Sequence, residues 1–149
     1  MKNFIQIIII SLLFFSNVHG EERESELNNL FIKLKNSKTT KAIEIENKIW
    51  KIWSTHPSKD RKGYRLTDLL AQGSLMMARE ELDGAYVIFS QIILADPTWS
   101  EAWNKRATAL YLLGLYQQSQ KDIDVVLKLE KRHFGALSGQ GLVQTELKN

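Results

Sequence analysis

A self-similarity at a spacing of 34 residues governs the second half of this chain. Gly73 stands 34 residues before Ala107, which stands 34 before Gly141, while Ala85 is matched by Ser119, Phe89 by Ile123 and Ile92 by Val126 at the same offset. Leu69, Trp103 and Leu137 fall in phase as the large residue near the start of each unit, and Pro97, which closes the first unit, is matched by Lys131. A unit this short cannot bury an apolar face alone. It must stack on its neighbours, which confines the chain to a quasi-one-dimensional array. The small residues at positions 73, 107 and 141 mark where two helices are expected to approach closely.

Apolar residues recur within each unit at steps of three and four, the period of an amphipathic helix. The spacing predicts helices near 66–80, 83–95, 99–113, 116–131 and 135–147, with no partner helix after the last. The turns between paired helices fall at Glu80 to Leu82 and Gly114 to Tyr116. Gly114 suits a left-handed helix end, whereas Glu80 in that conformation costs roughly 1 kcal/mol. Thr98 with Glu101 three residues on has the spacing of a capping box, directly after Asp96 and Pro97.

The first twenty residues read differently. Lys2 precedes an apolar run from Phe4 to Phe15, and Val18 and Gly20 occupy the −3 and −1 places of a cut after Gly20. That pattern predicts a secretory signal peptide over 1–20, too short in its apolar run for the roughly 20 residues of a membrane span. Residues 21–26 are acidic and without apolar period, and are expected to form a flexible leader. Leu27, Leu30, Phe31 and Leu34, then Ala42, Ile45, Ile49, Ile52 and Trp53, predict a helix hairpin over 27–56 with its turn at Asn36 to Thr40. A breaker-rich loop over 57–63 separates it from the repeats.

Composition removes whole classes of chemistry. No cysteine occurs in the 149 residues, which excludes disulfides, thiolate metal sites and a cysteine nucleophile. The formal charge of +3 falls by one when Lys2 leaves with the signal peptide. Lys33, Lys35, Lys38, Lys41, Lys48, Lys51, Lys59, Arg61, Lys62 and Arg65 face only Glu44, Glu46 and Asp60, and read as a solvated helix face and loop rather than a polyanion site. Nucleic acid is not an expected partner of an exported chain. His56 and His133 have no helical companion at ligand spacing, so no metal site is expected. There is no nucleophile elbow, Walker lysine or dinucleotide glycine pattern, and no catalytic residue or cofactor is assigned. Trp50, Trp53, Trp99 and Trp103 sit at helical spacing as packing residues.

Residues 64–97 and 98–131 resemble two tetratricopeptide repeats, and 132–149 the first helix of a third. In the second, Trp103, Ala107, Tyr111, Gly114, Tyr116, Ile123 and Val126 fall at the signature places, with Ser119 where alanine is usual. The first matches through Gly73, Ala85, Phe89 and Pro97 but lacks the early aromatic and the turn glycine. Arg106 departs from the usual leucine, and Asp122 lies at the distance of a structural ion pair. The likeness extends to exported bacterial tetratricopeptide proteins of no assigned activity. It implies an all-α, right-handed α-solenoid of helix hairpins that is not an enzyme. It also implies binding on the concave surface lined by first helices, here Thr67, Leu70, Ser74 and Met77, then Glu101, Asn104, Lys105, Thr108 and Tyr111. The expected partner is a protein or peptide of the periplasm of a Gram-negative bacterium. A second copy, paired through the incomplete last repeat, is the alternative.

Overall fold

The computed structural model describes residues 20–148, and the predicted signal peptide lies, but for Gly20, outside them. The described residues form seven helices and no strand. They divide into two compact units, one running up to Tyr64 and one from Arg65 onward.

In the first unit, α1 covers 20–35 and α2 runs Thr39–Trp53. Residues 21–26, expected as a flexible leader, are instead the opening turns of α1. Arg23 donates to the Thr55 carbonyl at 3.0 Å, and Leu27, one turn on, is buried. That anchorage explains the correction, because a polar segment stays helical when its backbone continues an amphipathic helix already packed. The inward faces carry Leu27, Leu30, Ile45, Ile49 and Trp53. Phe31 lies against Trp53 at 6.0 Å between ring centroids, and Trp50 meets Trp53 edge-on at 5.5 Å. The loop that follows is shorter than its composition suggests. Asp60 accepts the Gly63 N–H at 2.7 Å, a side-chain cap that starts α3 (Arg61–Ala78) inside the predicted loop. Gly63 is required there, since a Cβ would fall onto the Ser58 carbonyl oxygen.

The second unit holds most of α3 and then α4 (Leu82–Ala95), α5 (Ser100–Leu112), α6 (Tyr116–Leu129) and α7 (Phe134–Glu146). Contacts join α4 to α5, α5 to α6, α6 to α7 and also α5 to α7, the chain of near neighbours that a repeat requires. Ala85, Phe89, Ile92, Ser119, Ile123 and Val126 are all buried, so the six residues matched at the 34-residue offset are core residues. Gly73 faces Phe89 so closely that a Cβ would meet the ring at 2.6 Å. In the second repeat the Ser119 hydroxyl donates to the Ala107 carbonyl at 2.8 Å, which ties α6 to the small residue of α5.

The two turns between paired helices close identically. Glu81 N–H reaches the Met76 carbonyl and Glu80 N–H that of Met77, while Leu115 and Gly114 repeat the pattern onto Leu110 and Tyr111. This is the Schellman arrangement, and it forces a positive φ at its first residue beyond the helix: 63° at Glu80 and 74° at Gly114. Glu80 therefore carries the strain its place in the repeat predicts.

Candidate functional site

The expected binding surface is distributed over α3 and α5, and the structure divides its members. Thr108 is exposed, and Thr67, Ser74, Met77, Lys105 and Tyr111 are half-buried. Leu70, Glu101 and Asn104 are buried and cannot meet a partner as assigned. Leu70 belongs to the core cluster with Phe89 and Trp99. Ser74 and Thr108 each donate to a carbonyl one turn back, of Leu70 and Asn104 respectively. Two exposed residues were missed: Leu112, and Leu142, which stands 34 residues after Thr108. The repeat phase that found Thr108 also gives Leu142.

Glu101 is the largest departure. Thr98 bonds to Asp96 instead of closing a capping box, and Trp99 caps α5 without a side-chain hydrogen bond. The Glu101 carboxylate turns inward with no exposed area. His133, equally buried, accepts the Ala136 N–H on Nδ1 at 3.2 Å and thereby caps α7. Its other nitrogen, Nε2, then carries the proton and donates to Glu101 Oε2 at 2.9 Å, while Asn104 donates to the same oxygen at 3.1 Å. Glu101 Oε1 has no hydrogen bond, only Lys105 Nζ at 3.5 Å. A buried carboxylate needs such donors, and here they lock α7 onto α5 across the repeat boundary.

Arg106 does the equivalent for the preceding boundary through Ser90 of α4, while its pair with Asp122 ties α5 to α6 within the repeat. Arg106 donates through Nε and Nη2 to the two Asp122 oxygens at 2.7 and 2.8 Å and through Nη1 to Ser90 at 3.2 Å. Its guanidinium lies over Trp103 at 4.9 Å and Tyr86 at 5.7 Å. The bond to Asp122 raises Arg106 above the ordinary guanidinium range against the opposing effect of burial. This arginine joins α4, α5 and α6 and is structural.

Gly141 and its neighbours differ from their expected role as close-packing positions. An added Cβ at Gly141 would meet nothing within 4 Å, and at Gly139 only Ile123 Cδ1 at an ordinary 3.5 Å. The reason is topological: among the described residues no helix follows α7 to pack on that face. Pro97 is likewise exposed, although its carbonyl accepts the Trp103 indole N–H at 2.9 Å.

A TPR repeat-containing protein of Rhizobium etli is 34% identical over 135 residues, an alignment covering 85% of this chain and 63% of that protein. The chain is built of tetratricopeptide repeats. No family model matches it. The tetratricopeptide chain thus spans less than two thirds of the length of this relative. Among the described residues of the tetratricopeptide chain, no three His, Asp or Glu gather as a metal site, and no helix is long and apolar enough to cross a membrane.

Proposed function

We propose that this chain is a non-enzymatic protein–protein interaction module of the periplasm, holding a peptide segment of an envelope partner along the first-helix face of its repeats. The observation that carries the reading is the composition of that face once the buried residues are removed from it. Thr67, Ser74, Met77, Lys105, Thr108 and Tyr111 remain accessible in whole or part, joined by Leu112 and Leu142. Hydroxyl, thioether and aliphatic groups mix along it with one ammonium, a surface suited to an extended or helical peptide bound through apolar and polar contacts rather than to a charged terminus. Export is supported by the basic start, the apolar run and the small residues before Glu21.

Two exposed positions test the reading without touching the buried network. Residues 21–149 carrying Thr108→Arg and Leu142→Arg should fold as the unmodified protein does. Used as bait in periplasmic extract, the variant should lose a partner that the unmodified bait retains. Equal capture by both would move binding off this face. Mass spectrometry of the mature protein should find Glu21 at the N-terminus, and a chain retaining residues 1–20 would count against export.

A further inference from the structure

The lysines of the first unit, read in sequence as a solvated face, gather at one end of the hairpin. Asn36 and Ser37 close α1 by donating to the Ile32 and Lys33 carbonyls at 3.1 and 2.6 Å, so the chain reverses at once and α2 starts from Lys38. Lys33, Lys35, Lys38 and Lys41 thereby flank a single turn, and no acidic residue occurs from Leu27 to Ile43. All four are exposed, and none of their ammonium groups has a hydrogen bond or ion pair among the described residues. Ile32 and Ile43, 62% and 54% exposed, stand on either side of the same turn. Folding does not account for this charge. Lys33 and Lys35 suit the C-terminal end of α1, but α2 has no acidic residue in its first turn and puts Lys38 at its N-cap and Lys41 three residues on. Those are the places where a short acceptor and a carboxylate stabilise a helix start, and a cation there opposes the helix dipole.

We propose that this hairpin tip docks against the anionic surface of a phospholipid bilayer, its ammonium groups among the headgroups and Ile32 and Ile43 at the acyl boundary. The peptide-binding face lies on other helices, and this reading does not depend on it. Charge complementarity selects the occupant. Four flexible point charges with no arginine among them suit a fluid plane of headgroups better than a folded acidic partner, which uses bidentate pairs in fixed geometry. The two isoleucines add apolar surface that a bilayer can take up and a soluble polyanion cannot. Charge also sets the orientation. The acidic residues of α1, Glu21, Glu22, Glu24 and Glu26, fall at its other end. Glu26, the nearest of them, lies about 10 Å along the helix from Lys33, beyond the Debye length of about 8 Å at physiological salt. It therefore leaves the field at the tip largely uncancelled, and repulsion of that acidic end holds the hairpin end-on rather than flat. On α2 only Glu44 and Glu46 follow, so the tip keeps a net positive charge.

The test mixes residues 21–149, which keep all seven helices, with sedimentable vesicles at physiological salt. Vesicles of equal parts phosphatidylglycerol and phosphatidylcholine should carry the protein down, and vesicles of phosphatidylcholine alone should not. Each lysine near an anionic surface is worth about fivefold in partitioning, so Lys33→Gln, Lys35→Gln, Lys38→Gln and Lys41→Gln together should lower binding about a hundredfold or more. Lys48→Gln with Lys51→Gln, further along α2, should lower it no more than about threefold. Ile32→Ser with Ile43→Ser should weaken it about tenfold. Lys38→Gln with Lys41→Gln should not lower the melting temperature, because neither ammonium group holds the fold together. No binding to the anionic vesicles, equal binding to the neutral ones, or binding unmoved by the four-lysine change would overturn the proposal. So would an equal loss in the Lys48 and Lys51 variant. Soluble polyphosphate bound as tightly as the vesicles, with no effect of the isoleucine changes on either, would overturn it in favour of a soluble polyanion.

Discussion

Gly73 and Gly141 occupy the same place two repeats apart, yet one lies under a phenylalanine ring and the other faces open space. The residue type is the same because the repeat imposes it; the environment differs because a helix follows α3 and, among the described residues, no helix follows α7. A repeat position is therefore a statement about what a surface can accept, and only the neighbouring helix turns it into a core contact. The two ends of the array also hold by different means. On its covered side α3 gains the packing of Leu66, Leu70 and Phe89, whereas α7 relies on Ala136, Val143 and the buried hydrogen bonds of His133.

That difference is sharpest at His133. Replacing it with alanine removes the cap of α7 and leaves Glu101 buried with one hydrogen-bond donor fewer, an expected loss of about 3 kcal/mol. Hydrogen exchange should show the loss concentrated in α7, with α3 and α4 still protected; uniform loss would mean the array opens as one unit. Next in size is the pair Gly73→Leu and Gly141→Leu. The first must displace Phe89 and should cost about 1–3 kcal/mol in chemical denaturation. The second should be neutral or stabilise by up to about 1 kcal/mol, the helix-propensity gain over glycine. Equal effects would break the comparison. Glu80→Gly relieves a strained φ and should stabilise by about 1 kcal/mol, whereas Gly114→Glu should cost a similar amount in the next turn.

The smallest effect concerns pH. Burial works against ionisation of Glu130, but the Arg132 side chain and N–H together hold its carboxyl below the ordinary range, and the Gly63 N–H does the same for Asp60. A carboxyl lowered in the folded state contributes stability that is complete above its unfolded pKa of about 4 and is lost as pH falls through the lower folded value. Melting curves below about pH 4 should therefore show a modest acid loss that Arg132→Gln reduces.

Much of this molecule was legible in its sequence. The 34-residue phase placed the paired helices within a few residues of their observed bounds, and it placed Phe89, Ile123 and Ser119 in the core. It placed the turns at Glu80 and Gly114, and the resemblance to the repeat family implied the Arg106–Asp122 pair, because these depend on contacts at fixed offsets along the chain. Glu101, Asn104 and Leu70 were misread as surface residues. Periodicity assigns a residue to a helix face, but whether that face meets solvent depends on the next helix across the boundary. The local signal at Glu101 was a capping box, and a partner 32 residues away outcompeted it.

The sequence by itself determined that the chain is helical, that its helices pair at a constant interval and that its small residues recur where those helices meet. Local backbone energetics and side-chain period suffice for that. Only the tertiary structure decided that Glu101 and His133 are buried together, that residues 21–26 are helical and that Gly141 is open. Each of those turns on whether an element distant in sequence makes a contact, and at Glu101 a polar side chain keeps its local preference only until burial makes its hydrogen bonds costlier to leave unmade.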